Sequence, residues 1–424
     1  MSAYDSIFEY VHSLTIIDSH EHLDPWEERR EKDTDILREY LAHYFSNDLM
    51  AAGMTFQQVE TIRDPSKPLM ERWKAAEPYW KLARNTAYGR ALDLTVRSLY
   101  GADRIDGTTI EGLNEAFLKT LAPGHSQYHK VLKEMSNIEY SVLDNDLDYD
   151  PMYFRTSYSI DNLIFFKNWK CLDDMESDTR INLTSFDDWL EACTLELDHA
   201  FEQGAVALKL HAAYRRSLYF ANTPYREAEA CFLNVLEQRK GPTWNPFLPQ
   251  STQAFQDYMV HYIMRYANQR GLTCQIHTGL QESGRNIIAN SDPSLLSNLF
   301  IQYPKVKFDL FHIGYPYQHV MPALGKMFAN VYLDMCWAHI ISPAACINAL
   351  DDWLDSVPVS KIIAFGGDYH ILDAVYAHQL MARQNVSKVL AQKVEDGIFD
   401  LNDAKWMAQR MFYENPKSIF ETGK

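Results

Sequence analysis

The chain has 424 residues, of which 46% are hydrophobic and 23% charged, so it can bury a large core and is not a disordered polymer. Its 40 Lys and Arg stand against 57 Asp and Glu, a net charge of −17. That balance repels phosphate backbones and argues against nucleic acid as a partner, although a local basic cluster can still hold a small anion.

At the N-terminus no basic segment precedes an apolar one, which predicts no signal peptide. Leu14 to His22 is a β-branched run ending in polar residues, the pattern of a buried parallel strand that delivers side chains at its C-terminal end. Residues 25–135 change character. They carry Trp, Tyr, Arg, Glu and Leu at helical spacing, as in Thr34 to Met50 and Pro68 to Tyr100, and predict a helical insertion. Strand-like runs return at Ile138 to Leu143, Phe154 to Ile164, Ala205 to His211, Leu272 to His277, Val306 to His312, Asn330 to Met335 and Lys361 to Gly366. Helices are expected between most of them, including Asp187 to Gln203, Thr252 to Gln269 and Pro293 to Tyr303, and again from Ala374 to Phe420. The six cysteines form no C-x-x-C pair, which predicts reduced thiols and a cytoplasmic setting. No apolar run approaches the roughly 20 residues that span a bilayer, so no membrane partner is expected.

Eight strands alternating with helices imply a parallel sheet, and eight such units close naturally into a barrel. The expected fold is α/β, a (β/α)8 TIM barrel built from residues 1–24 and 136–424, with a helical lobe of residues 25–135 inserted after the first strand. A doubly wound open sheet is the runner-up, but no dinucleotide or phosphate-loop motif supports it.

Polar residues cluster at the predicted strand ends: His20 and His22, Lys209 and His211, His277, His312, Asp334 and Asp368. In a (β/α)8 barrel that face builds the active site. His20 and His22 are two residues apart on a strand, so they share a face and can hold one metal ion together. Imidazole and carboxylate donors suit zinc or a neighbouring divalent transition metal. Singly, each of these residues reads as an ordinary hydrogen-bonded side chain, and Asp368 as a helix cap. The series H-x-H, His, His, Asp in that order is what points to a metal site.

That order, with Lys209 to Arg215, Gln275 to Gly279, Phe311 to Tyr317, Val331 to Asp334 and Phe365 to His370, resembles the amidohydrolase superfamily and its "amidohydrolase 2" branch. Within the branch it is similar to the domain joined to glutamine-synthetase-like domains in fungal sporulation and plant nodulin-type proteins. A weaker likeness to uronate isomerases lies in the lobe and includes His43 and Tyr44. The resemblance implies a divalent metal, zinc by preference with manganese, iron or nickel admitted, held by His20, His22, His277 and Asp368. It implies His312 beside the metal, and Lys209 as a bridge should a second metal bind. Asp368 and His312 are the expected catalytic residues.

A divalent ion with an open position lowers the pKa of bound water toward about 7. Asp368 would take the proton, and His312 would help polarise a carbonyl. The expected function is hydrolysis of a C–N bond in a small, carboxylate-bearing substrate. A uronate isomerase-like reaction or a non-oxidative decarboxylation are the alternatives, because fold and metal do not settle the reaction. Tyr214 and Arg215 after the fourth strand, Arg285 after the fifth and Trp337 after the seventh are expected to bind the substrate, since Arg grips carboxylates in a bidentate fork. His339 is a further candidate for the pocket wall, and Trp26 with Glu27 and Glu28 for an approach from above. His370 and His378 are expected at the surface or one layer behind the site. An acidic barrel with a large insertion often self-associates, so a homo-oligomer stays open.

Overall fold

The structure, a computed structural model, describes residues 2–144, 146–166, 170–239, 252–282 and 286–421. Eight strands form one sheet: β1 (Ile16–Glu21), β2 (Ile138–Asp144), β3 (Phe154–Ser159), β4 (Ala205–Leu210), β5 (Thr273–Ile276), β6 (Lys307–Leu310), β7 (Val331–Asp334) and β8 (Ile362–Ile363). Each pairs in parallel with the next in sequence. Backbone bonds carry the ring from β8 back to β1: Ser19 N–H donates to Phe365 O at 3.2 Å, Asp368 N–H to His20 O at 2.8 Å and His22 N–H to Tyr369 O at 3.0 Å. The result is a nearly closed (β/α)8 TIM barrel, as the alternation of elements predicts.

The Gly-Gly pair before Asp368 makes that last contact possible. A Cβ on Gly367 would lie 1.7 Å from Glu21 Oε1, and one on Gly366 2.3 Å from Ser19 Oγ. Only residues without a side chain let the loop after β8 lie this close against β1.

The strands are shorter than their apolar runs. β4, β5 and β6 stop one or two residues before His211, His277 and His312, and β8 ends well before Asp368. The polar end residues therefore sit in the first turns of the loops. Phe154 to Ile164 is not one strand either: β3 ends at Ser159, and Asp161–Ile164 forms a helical turn.

The lobe is helical: α2 (Ile36–Tyr40), α3 (His43–Ala51), α4 (Phe56–Ile62), α5 (Leu69–Ala83), α6 (Ala87–Tyr100) and α7 (Ile110–Lys119) follow α1 (Ala3–Ser13), which precedes β1. Its buried residues Leu37, Phe45, Trp73, Trp80 and Leu92 belong to the same continuous apolar core as Leu208, Ile276 and Leu333 of the barrel. The lobe therefore has no separate core. The single helix suggested by Thr34 to Met50 is broken, because His43 adopts a left-handed φ of 52°. That break turns His43 and Tyr44 toward the barrel mouth.

A smaller apolar cluster of Ile17, Tyr140, Val142, Ala207 and Ile363 is capped by Ile419 and Phe420 from the C-terminal helix. Asn415 ties that helix down by donating to Val359 O and Ile362 O, both at 2.7 Å. Among the described residues, no helix is long and apolar enough to cross a membrane.

Candidate metal centre and active site

The residues of the H-x-H and Asp motifs converge around one carboxylate. Asp368 Oδ1 lies 3.1 Å from His22 Nε2 and 3.5 Å from His20 Nε2. Its Oδ2 lies 3.7 Å from His312 Nε2. Two sets of three bring their donor atoms within 4.8 Å of one another: His20, His22 and Asp368, and His277, His312 and Asp368. His277, expected with the first set, groups with His312 here, its ring centre 5.5 Å from that of His20.

The hydrogen bonds suit ligation. Cys336 O can only accept, so His312 Nδ1 is the protonated nitrogen of their 3.0 Å bond. His312 Nε2 is then a lone pair and accepts from His277 Nδ1 at 2.7 Å. That leaves His277 Nε2 a lone pair too, buried and without a hydrogen-bond partner among the described residues. Neither ring nitrogen of His20 makes a well-formed hydrogen bond, although the residue is fully buried. Burial pushes His312 down to about 4. Burial, reinforced by Lys209, takes His20 to about 3. Both are neutral donors at physiological pH, as a metal requires. Burial also opposes the charge on Asp368, but His20 and His22 outweigh it and hold the carboxyl well below its usual range. Three imidazoles or more beside an ionised carboxylate in a dry setting fit a divalent transition metal.

The backbone here is strained. His43, His312, Ile313, Trp337 and Asp368 all take left-handed φ values, between 51° and 67°. Such conformations cost roughly 1–3 kcal/mol each and persist where surrounding structure enforces them.

Lys209 Nζ is fully buried, sits 4.0 Å from the centre of the Phe311 ring and has no hydrogen-bond partner among the described residues. Asp334, fully buried at the end of β7, accepts from Cys336 N–H at Oδ1 over 2.7 Å. Burial raises both Asp334 and its partner Asp309, the latter to about 7.

Next to Asp368 opens a cavity of about 250 Å³. The expected residues His22, His277, Tyr214 and Arg215 line it. So do Asp144, Asp161, His211 and Glu282 from the barrel loops, and His43 and Tyr44 from the lobe. Tyr44 donates its hydroxyl to Asp368 Oδ2 at 3.3 Å. Arg215 is exposed, stacked 5.0 Å over Phe165. Arg216 instead pairs with Asp257 at 2.6 Å and is structural. Trp337 is buried behind Tyr44, the two rings stacked with centres 3.5 Å apart. His339 donates or accepts only within the protein, with Ala364 O at 2.9 Å and Asn385 at 3.3 Å. Trp26 bonds Asp148 and Glu27 caps the backbone of Gln127 and Tyr128, so neither lines the cavity. His370 lies at the cavity rim, its ring stacked 4.8 Å from His22. His378 is fully buried behind Phe365 and Tyr369. Arg285 lies outside the described residues.

His211 belongs to the expected ring of polar strand ends, but Asp144 and Asp161 carry no motif in the sequence, and three successive strand ends bring the three together. His211 Nε2 is 3.0 Å from Asp144 Oδ2, and its Nδ1 3.7 Å from Asp161 Oδ1. Burial works against the charged imidazole, but the two carboxylates prevail and raise it to about 9 from an ordinary 6.5. The pair should therefore stabilise the fold fully below about pH 6.5 and lose that contribution as pH rises through about 9. Urea titrations between pH 7 and 10 are expected to show the midpoint falling in the wild type, and falling less in His211→Gln. Equal slopes would mean the pair contributes nothing.

With fold and site in place, comparisons with known proteins identify the class. The family model described as Amidohydrolase matches residues 174–420, and the chain belongs to that family. It is an amidohydrolase-superfamily enzyme. Protein fluG of Emericella nidulans is 28% identical over 148 residues, covering 35% of this chain and 17% of that protein. The uronate isomerase of Shouchella clausii is 23% identical over 289 residues, covering 64% of this chain and 58% of the isomerase. The chain thus spans less than two thirds of either relative. The solved uronate isomerase of Thermotoga maritima superposes with a TM-score of 0.79 at 17% identity, covering 99% of this chain and 97% of that one. That likeness extends the shared fold over the lobe as well as the barrel.

Proposed function

We propose that this enzyme uses a divalent metal at His20, His22, His277 and Asp368 to hydrolyse a C–N bond in a small carboxylate-bearing molecule. When bound, the metal supplies a polarised carbonyl and an acidified water. The observation that carries the reading is Asp368, whose carboxylate touches both histidine groups and borders the cavity. As an ionised, buried base it takes a proton at Oδ1 or Oδ2 and returns it to the leaving nitrogen. His312, neutral and anchored by Cys336 O, accepts the His277 Nδ1–H at its Nε2 and so orients His277, whose own Nε2 lone pair is left for the metal. Tyr44 O–H, on Asp368 Oδ2, orients the carboxylate. Arg215 stands where a substrate carboxylate can reach it.

An aldose–ketose isomerisation of a sugar acid is the second reading. It is favoured by the lobe, which brings His43 and Tyr44 into the cavity and shares its fold with uronate isomerases. The test is direct. Protein stripped by chelator should lose activity, and one added equivalent of zinc, manganese, iron or nickel should restore it. The restored enzyme is then given N-acyl amino acids and uronates in parallel. Amine release supports hydrolysis, ketose formation alone replaces it with the isomerase reading, and activity that survives stripping refutes both.

A further inference from the structure

The outer wall of the cavity contains an acceptor that the protein does not use. Asp144, at the end of β2, commits Oδ2 to His211 at 3.0 Å, with His22 Nδ1 3.8 Å from the same oxygen. Its Oδ1 is buried and has no hydrogen-bond partner among the described residues. Asp161 is occupied differently: its Oδ1 accepts His211 N–H at 3.0 Å. Arg215 lines the same cavity and faces no carboxylate in an ion pair among the described residues. One cavity is therefore lined by a guanidinium that can take an anion and, separately, by a carboxylate, Asp144, that has an acceptor oxygen to spare.

We propose that Asp144 determines substrate specificity: its Oδ1 accepts a hydrogen bond from a hydroxyl or ammonium group of the substrate, which is thus a hydroxy- or amino-substituted carboxylic acid. The inference rests on the cavity being the active site and refines its substrate class. A buried carboxylate oxygen left without a donor is destabilising, so a ligand lacking the donor leaves that penalty in place. Sites built to bond a substrate O–H or N–H reject the analogue without it far more strongly than apolar pockets reject a missing methylene. His211 enforces the division of labour, because its grip on Oδ2 leaves only Oδ1 for the ligand.

The test uses matched acids with metal-loaded, full-length protein and isothermal titration calorimetry. Glutamate is compared with glutarate, which lacks only the amine, and glucuronate with cyclohexanecarboxylate, which has a six-membered ring and no hydroxyls. In the wild type, the donor-bearing member of at least one pair should bind tenfold or more tightly. In Asp144→Ala that preference should shrink to about twofold or less, while Arg215→Ala weakens both members alike. Asp144→Asn guards against a misfolded alanine variant. Its amide oxygen must face the His211 N–H, so its NH2 faces the cavity and the preference should vanish or invert. Equal binding within both pairs, or a preference that survives both Asp144 variants, overturns the inference alone. If none of the four acids binds the wild type, the carboxylate-substrate reading falls, and this inference with it.

Discussion

Asp368→Asn is expected to lower kcat/KM by about a thousandfold while leaving the barrel folded. Loss of a positioned general base typically costs 10²–10⁴-fold, and here the same oxygens are proposed metal ligands. The amide keeps the shape but not the charge that faces His20 and His22. Asn is the appropriate replacement because Asp368 has a φ of 55°, a conformation Asn adopts readily and most other side chains do not. Asp368→Ala would mix backbone strain with the lost chemistry. Steady-state kinetics with elemental analysis of bound metal checks the prediction. Full metal content with lost turnover would separate the base from the ligand role, and unchanged turnover would remove Asp368 from the mechanism.

Asp373→Ala is expected to cost about 4 kcal/mol of stability and to lower turnover without touching the cavity. Asp373 is buried and takes three hydrogen bonds from the lobe: Tyr40 O–H at 2.9 Å and Tyr100 O–H at 2.5 Å on Oδ2, and the side-chain Nε2–H of Gln127 at 2.9 Å on Oδ1. Hydrogen bonds to a charged acceptor are worth about 1.5–3 kcal/mol each and do not add fully. The residue lies on the helix Leu372–Glu395, directly after the Asp368 loop. It therefore fastens α2 and α6 to the helix that follows the loop carrying the central carboxylate. Loosening it frees Tyr44 from its bond to Asp368, so kcat should fall more than KM rises. Urea denaturation read by fluorescence and circular dichroism checks stability. A variant as stable as the wild type would show that the shared apolar core alone holds the lobe.

Much of the candidate site was legible because its signals are local. His20 and His22 share a strand face through simple alternation, and His277, His312 and Asp368 each follow a short apolar run of the kind that forms buried parallel strands. Arg215 shows itself by charge close behind β4. Trp337 is legible as an aromatic at a strand end, but its place behind Tyr44, away from the cavity, is not. Arg216 stands beside Arg215 in the chain, and only the fold shows that it is taken up by Asp257, on a helix that begins well beyond β4.

The sequence by itself determined the barrel, the helical lobe and the ring of polar strand ends, because periodicity and strand order depend on near neighbours along the chain. Only the tertiary structure decided that Asp368 sits between two histidine groups, that Tyr44 reaches it across the lobe, and that Asp144, Asp161 and His211 meet. Asp144 ends β2, Asp161 follows β3 and His211 follows β4, and no local pattern marks an isolated Asp as facing a cavity. Their meeting follows from closure of the barrel, which brings successive strand ends side by side however far apart the chain places them.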